Sequence, residues 1–136
     1  MREIARPPLA SDAELAALQH AAKLLGELPG IVKVVLFGSR ARGDFSGSSD
    51  MDILVVVEGI AAKDKVVSTL HDLELEYDVP LAPVIMTENE YRIGVRLGSG
   101  FLENVGREGM VLHETERWGQ GRTVALPNGE SEATPG

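Results

Sequence analysis

The sequence contains no cysteine, and this absence excludes disulfide bonds and thiolate chemistry. It is also consistent with a reducing compartment, so we expect a cytoplasmic protein. Long apolar runs are lacking as well. The apolar stretches are short and interrupted by charges, so no segment is predicted to span a membrane. The first twelve residues, MREIARPPLASD, lack the apolar core of a signal peptide.

An excess of positive charge is the third absence. The chain has 13 Lys and Arg against 21 Asp and Glu, which gives a formal net charge of −8. Extended DNA or RNA is bound through clustered Lys and Arg, so we expect no extended nucleic acid as partner. A single nucleotide is not excluded, because one triphosphate needs few cations and metal ions can supply them. The length of 136 residues suits one domain.

Strand and helix patterns alternate along the chain. Ser11 and Glu14 are spaced as a capping box, which predicts the start of a helix. Hydrophobic spacing and β-branched runs then predict helices over residues 11–28, 62–77, 88–96 and 101–108, and strands over residues 31–37, 51–57, 80–86 and 110–113. Residues 1–114 are predicted to form the domain, and the Gly-, Pro-, Ser- and Glu-rich residues 115–136 a flexible tail.

Two of the strands have predictable positions in the sheet. Beyond Asp52, the strand over residues 51–57 is apolar on both faces, which is typical of a central strand covered on both sides. The strand over residues 80–86 contains Pro83, which cannot donate a ladder hydrogen bond. We therefore expect it at an edge of the sheet, or Pro83 at the start of its strand.

The informative motif is Gly38-Ser39, then ten residues, then Asp50-Met51-Asp52. Residues at i and i+2 of a strand point to the same face, so Asp50 and Asp52 present two carboxylates side by side. Neighbouring carboxylates repel each other, and a divalent cation relieves that repulsion. Mg²⁺ typically takes one or two carboxylates and completes its shell with phosphate oxygens. The pair therefore predicts a magnesium site that also binds phosphate.

Gly38 and Ser39 lie where a strand is predicted to turn into a short helix. Glycine allows a phosphate to approach the backbone, and free N–H groups at a helix start attract anions. Ser39 either caps that helix or donates its hydroxyl to a phosphate. Arg40 and Arg42 either contact phosphate or lie on a solvated face, and we assign Arg42 to the nucleotide.

This pattern resembles the nucleotidyltransferase superfamily that includes DNA polymerase beta and the kanamycin nucleotidyltransferases. The resemblance covers residues 15–114 and is greatest to the minimal nucleotidyltransferases (MNT), which are often the antitoxin partners of HEPN toxins. It implies the α+β nucleotidyltransferase fold, a small mixed β-sheet with flanking helices. It also implies transfer of a nucleoside monophosphate from a triphosphate, here ATP, to a hydroxyl acceptor. The site would be of the two-metal Mg²⁺ type, with Asp50 and Asp52 as the catalytic residues and the metal ligands. A HEPN-type toxin and a second copy of the chain are the expected protein partners.

The sequence departs from that family at a third carboxylate. Polymerase-like members carry it on a neighbouring strand, yet the matching residues LAPVIM contain no acid. Asp78 precedes that strand and Glu88 follows it. Either acid could reach the site near Asp52, although neither lies where the family pattern puts the acid, and we expect Asp78 to end a helix rather than act as a base. Two hypotheses therefore remain: a metal-dependent transferase, or a catalytically degenerate binding or antitoxin module.

Other polar residues are assigned structural roles. His20, His71 and His113 lack the spacing of metal ligands, so surface or packing positions are expected. The segment Gly98-Ser99-Gly100 is predicted to interrupt a helix, since no Lys-Ser or Lys-Thr follows it as in a phosphate-binding loop.

Overall fold

The computed structural model describes residues 11–38 and 50–115. Four helices and four strands follow one another in these residues, and a 3-10 turn at Ile60–Ala62 precedes the second helix. In chain order they are α1 (Asp12–Glu27), β1 (Ile31–Phe37), β2 (Met51–Val57), α2 (Lys63–Tyr77), β3 (Leu81–Thr87), α3 (Glu88–Arg96), α4 (Gly100–Glu108) and β4 (Met110–Glu114). Each predicted element is confirmed, with bounds that differ by at most one residue. Apart from Thr115, the predicted tail lies outside the described residues.

The four strands form one mixed sheet in the order β3-β2-β1-β4. β1 is antiparallel to β2 and to β4, whereas β2 and β3 are parallel. This arrangement confirms the α+β class and the small mixed sheet with flanking helices. β3 is an edge strand, as expected from Pro83. A proline, which has no N–H to donate, disrupts fewer inter-strand hydrogen bonds there than in a central strand.

One face of the sheet is covered by α1 and α2. The capping box at the start of α1 is confirmed: Ser11 Oγ accepts from the Glu14 backbone N–H at 3.1 Å, and the Ser11 N–H donates to Glu14 Oε1 at 2.8 Å. The helices contribute one buried stripe each, which packs on alternate strand residues such as Val34 and Val55. These stripes are Ala17, Leu18, Ala21, Ala22 and Leu25 from α1, and Val66, Leu70 and Leu73 from α2.

The opposite face carries a second, smaller core formed with α3 and α4. Leu102 and Val105 of α4 pack there with Leu54 and Val56 of β2. Residues 53–57 of β2 are therefore buried from both sides, which confirms the predicted central strand. In residues 11–38 and 50–115, no helix is both long enough and apolar enough to cross a membrane.

Candidate functional site

Asp50 and Asp52 lie at the end of the sheet where β2 begins. Asp52 is the second residue of β2, and Asp50 directly precedes that strand. Phe37, the last residue of β1, pairs with Asp52 on one side, and Ala82 of β3 pairs with it on the other. Asp52 is therefore held between two strands, which restricts its backbone. Asp50 is exposed, and Asp52 is partly buried.

Gly38 lies against the carboxylate of Asp52. Its φ is +80°, in the left-handed region that side chains of L-residues rarely adopt, and a β-carbon built there would lie 2.5 Å from Asp52 Oδ2. The glycine is thus required both by the turn after β1 and by the approach of the carboxylate. The structure brings together Gly38 and Asp52, which are separated by thirteen residues of sequence.

The electrostatics of the pair favour a cation. Burial raises the pKa of Asp52 above its ordinary value, and the negative charge of Asp50 raises it further. Both effects disfavour the ionised carboxylate in the free protein. A bound cation opposes both effects, because it attracts the charged form of the two side chains.

The donor set fits a divalent ion that arrives with a phosphate. In the described part of the chain, no group of three or more His, Cys, Asp or Glu side chains is arranged to hold a metal. Two carboxylates alone do not complete a Ca²⁺ or Zn²⁺ shell, whereas Mg²⁺ commonly uses one or two carboxylates and leaves its other positions to water and phosphate oxygens. Asp50 and Asp52 are the described residues that could hold such an ion.

Two further predicted contacts, Ser39 and Arg42, lie outside the described residues, as does Arg40. Their assignment to the nucleotide stays a prediction. Gly38 is the last described residue before the gap, and Asp50 is the first after it.

The candidates for a third acid lie at opposite ends of β3. Asp78 is the residue that ends α2, with φ of 55°, so its expected role at a helix end is confirmed. It precedes β3 at the end of the sheet where β2 also begins, because these strands are parallel. Glu88 follows Thr87, which pairs with Val57 at the far end of β2. At about 3.3 Å per residue, Glu88 is roughly 15–20 Å from the level of Asp52.

Glu88 also has another partner. Its Oε2 lies 2.8 Å from Nη2 of Arg92, one turn further along α3. The position of this pair excludes Glu88 from the site, which corrects the suggestion that it reaches Asp52. β3 itself offers no acid beside Asp52, since the paired residue is Ala82.

An aromatic pair beside Asp52 was missed by the sequence analysis. The rings of Phe37 and Phe101 meet edge to face with centroids 5.3 Å apart. Phe101 lies at the start of α4 and keeps 39% of its surface exposed. No local signal connects these residues, because they are 64 positions apart in the sequence and meet only through the packing of α4 on β1.

The histidines occupy surface and packing positions, as expected. His20 Nδ1 and the Tyr77 hydroxyl are 2.9 Å apart, which joins α1 to the end of α2. His71 is exposed. His113 packs against Gly26, and burial lowers its pKa, with a smaller opposite effect from Glu114. The expected break at Gly98-Ser99-Gly100 is also confirmed, since α3 ends there and Ser99 caps α4.

Comparison with known proteins identifies the family. The family model described as "Nucleotidyltransferase domain" matches residues 18–94, which include Gly38, Asp50 and Asp52. The chain belongs to the nucleotidyltransferase domain family. This finding confirms the family that the sequence motif resembles. The matched region begins within α1 and ends within α3.

A curated relative of this nucleotidyltransferase domain is "Putative protein adenylyltransferase MJ0604" of Methanocaldococcus jannaschii. The two are 39% identical over 83 residues, which span 61% of this chain and 79% of that protein. A transferase is therefore the activity that the family and this relative support.

Two solved structures are similar in fold. One is described as a toxin-antitoxin with AMP-PNP, at 22% identity and a TM-score of 0.48, with 73% of this chain and 75% of that chain covered. Another is described as tri-AMPylated Shewanella oneidensis HEPN toxin in complex with MNT antitoxin, at 19% identity and a TM-score of 0.43, with 75% and 74% covered.

Proposed function

We propose that this domain binds ATP with Mg²⁺ at Gly38, Asp50 and Asp52 and transfers AMP to a hydroxyl acceptor. The observation that carries the proposal is the approach of the Asp52 carboxylate to the turn at Gly38, with Asp50 beside it. A carboxylate pair and a glycine turn thus share one end of the sheet. The matched family and the adenylyltransferase name of the relative support this reaction class.

The residues of this chain have separate tasks in such a transfer. Asp50 and Asp52 would hold Mg²⁺, which supplies neutralisation of phosphate charge when it is bound. The missing side chain of Gly38 leaves room for the Asp52 carboxylate at the end of β1. The β1 and β3 neighbours of Asp52 fix its backbone, so its carboxylate is positioned before the nucleotide arrives. Positioning and charge stabilisation are most of what phosphoryl-type transfer requires of a protein.

The proposed reaction exchanges a phosphoanhydride bond of the α-phosphorus for a phosphodiester bond. The acceptor oxygen forms a bond to the α-phosphorus of ATP, and the bond from that phosphorus to the bridging oxygen of pyrophosphate breaks. Pyrophosphate leaves with the electron pair, and the acceptor hydroxyl loses its proton to a base. The products are the adenylylated acceptor, pyrophosphate and a proton.

We propose a protein hydroxyl as the acceptor, and a HEPN-type toxin as the protein that carries it. The family resemblance of the motif motivates the toxin, and the name of the Methanocaldococcus jannaschii relative motivates a protein acceptor. A second copy of the chain is the other partner to test.

A second candidate function is nucleotide-dependent binding of the partner without transfer. One observation favours it: β3 presents Ala82 beside Asp52, and Glu88 is at the far end of that strand. A base would typically contribute about 10²–10⁴-fold to the rate. Without one, we expect slow transfer by the isolated domain unless Asp78 or a partner's side chain completes the site.

Incubation with ATP labelled at the α-phosphate separates the two functions. The unmodified chain is incubated with Mg²⁺ alone and with Mg²⁺ and a HEPN-type protein. In a third reaction, the Asp50→Asn/Asp52→Asn variant replaces the unmodified chain beside the same protein. The proposal expects label on the partner with the unmodified chain and none with the double variant. Equal labelling by both proteins would contradict the site. Mg-ATP binding and complex formation without label would establish the binding function.

A further inference from the structure

The aromatic pair lies on the same face of the sheet as Asp52. Asp52 precedes Leu54 by two residues, and Leu54 belongs to the core between the sheet and α4. Residues two apart in a strand share a face, so Asp52 points to the α4 side. Phe37 packs against that same core and pairs directly with Asp52 across β1 and β2. Directly opposed residues have β-carbons about 4.5–5.5 Å apart.

The ring of Phe101 extends this surface toward solvent. It contacts Phe37 edge to face at 5.3 Å, with an angle of 87° between the ring planes. In an edge-to-face pair, at least one face of each ring is free of the other ring. Leu102 and Val105 anchor α4 on the sheet, so the position of Phe101 is held by buried neighbours. A large aromatic surface, 39% exposed, therefore stands one side chain away from Asp52.

We infer that Phe101 is the stacking platform for the nucleobase of the bound triphosphate. This inference rests on the proposed function, because the phosphates must lie at Gly38 and Asp52 for the base to reach the ring. The ribose and base extend from the α-phosphate, and the faces of the base are flat and apolar, so they suit a flat apolar surface beside the carboxylates proposed to hold Mg²⁺. Phe37 lies between the sheet and the ring of Phe101 and holds that ring in place. It does not need to contact the nucleotide.

The chemistry of the platform predicts what it selects. Stacking uses the π-face that every base has, so it distinguishes a nucleotide from bare triphosphate but discriminates weakly among bases. Phe101 offers no hydrogen-bonding group that could distinguish adenine from guanine. We therefore expect Phe101 to contribute similarly to binding of ATP and of GTP.

Calorimetric titration with three probes tests this platform. Mg-ATP, Mg-GTP and magnesium tripolyphosphate are each titrated into the full chain and into Phe101→Ala, Phe101→Leu and Phe101→Tyr. Leu75→Ala is the control, since Leu75 is an exposed apolar residue on α2, on the opposite side of the sheet. Alanine substitution at a stacked base typically weakens binding roughly 5- to 150-fold.

The expected result is a loss of that size for both nucleotides in Phe101→Ala. A similar loss is expected in Phe101→Leu, which keeps an apolar side chain and checks that folding is intact. Tripolyphosphate affinity stays unchanged in both, Phe101→Tyr binds like the unmodified chain, and Leu75→Ala has no effect. Unchanged nucleotide affinity in Phe101→Ala, or an equal loss for tripolyphosphate, would overturn the inference while leaving the proposed function standing. Failure of the unmodified chain to bind any probe would instead overturn the proposed function.

Discussion

The α-carbon of Gly38 faces the carboxylate of Asp52 so closely that a β-carbon at position 38 would lie 2.5 Å from Oδ2. This contact joins the end of β1 to the start of β2 and fixes where the acidic pair meets the backbone turn. Because the same glycine has φ of +80°, its replacement has two effects that can be separated experimentally. One is backbone strain, and the other is displacement of the carboxylate.

Gly38→Ala should destabilise the fold by about 1–2 kcal/mol through its left-handed backbone, and should also displace the Asp52 carboxylate. Mg-ATP affinity is expected to fall at least tenfold. Gly98→Ala is the matched control, since Gly98 has φ of +77° and no atom within 4 Å of the added carbon. Urea unfolding and calorimetric titration of both variants should show similar losses of stability and a loss of binding confined to Gly38→Ala. Equal affinities in the two variants would refute the role given to the contact.

Asp52→Asn should stabilise the nucleotide-free protein at neutral pH. The pKa of Asp52 is raised in the fold, so its contribution to stability is full below the unfolded pKa and is lost as pH rises through the folded pKa. The amide avoids that loss. We expect a rise in Tm of roughly 2–6 °C at pH 7, because burial of a partly exposed carboxylate and its repulsion by Asp50 cost up to about 1 kcal/mol. The difference should vanish near pH 3, and saturating Mg-ATP should reverse the order of the two proteins. A variant that is less stable at every pH contradicts this account.

His113 should make the protein sensitive to mild acid. Its pKa is lowered by burial, and within the described residues its buried Nε2 has no hydrogen-bond partner. Because the pKa of His113 is lowered in the fold, its contribution to stability is fully present above the pKa of a histidine in the unfolded chain, about 6.5. That contribution is lost as the pH falls below this value. Urea unfolding at pH 7.5 and pH 5.5 should show this loss in the unmodified chain. His113→Gln should reduce the difference between the two pH values, and an unreduced difference would place the sensitivity elsewhere.

Lys33 and Glu114 should behave as a coupled buried pair. Lys33 Nζ lies 3.5 Å from Glu114 Oε2, and their side chains are 9% and 13% exposed. Lys33→Met leaves the Glu114 carboxylate buried without this cation, at a cost of roughly 3–5 kcal/mol. The double variant Lys33→Met/Glu114→Leu should recover most of that loss in a double-mutant cycle of urea unfolding. Strictly additive effects would show that the two charges do not interact.

The helices and strands could be predicted from local patterns, because each of them has its own sequence signal. The capping box of Ser11 and Glu14 marked the start of α1, and β-branched residues marked β1 and β2. The spacing of Gly38 and Asp52 between two such strands indicated the site, since a short connection keeps them near each other. The family that this motif resembles is the one that the chain belongs to.

Features that depend on strand register and helix packing were not accessible from the sequence. Glu88 follows β3 directly, but only the parallel register with β2 shows that it lies at the end opposite Asp52. The contact of Phe101 with Phe37 requires α4 to fold back on β1. Likewise, the burial of Lys33 depends on β4, which brings Glu114 beside it from the end of the domain.

The measurement that tests the central claim most directly is calorimetric titration of Mg-ATP into the full chain and into the Asp50→Asn/Asp52→Asn variant. The account predicts saturable binding by the unmodified chain that requires Mg²⁺, and a loss of at least tenfold in the variant. The variant should keep its fold, because Asp50 is exposed and Asp52 is only partly buried. Equal Mg-ATP affinity of the two proteins would contradict the assignment of the carboxylate pair as the nucleotide site.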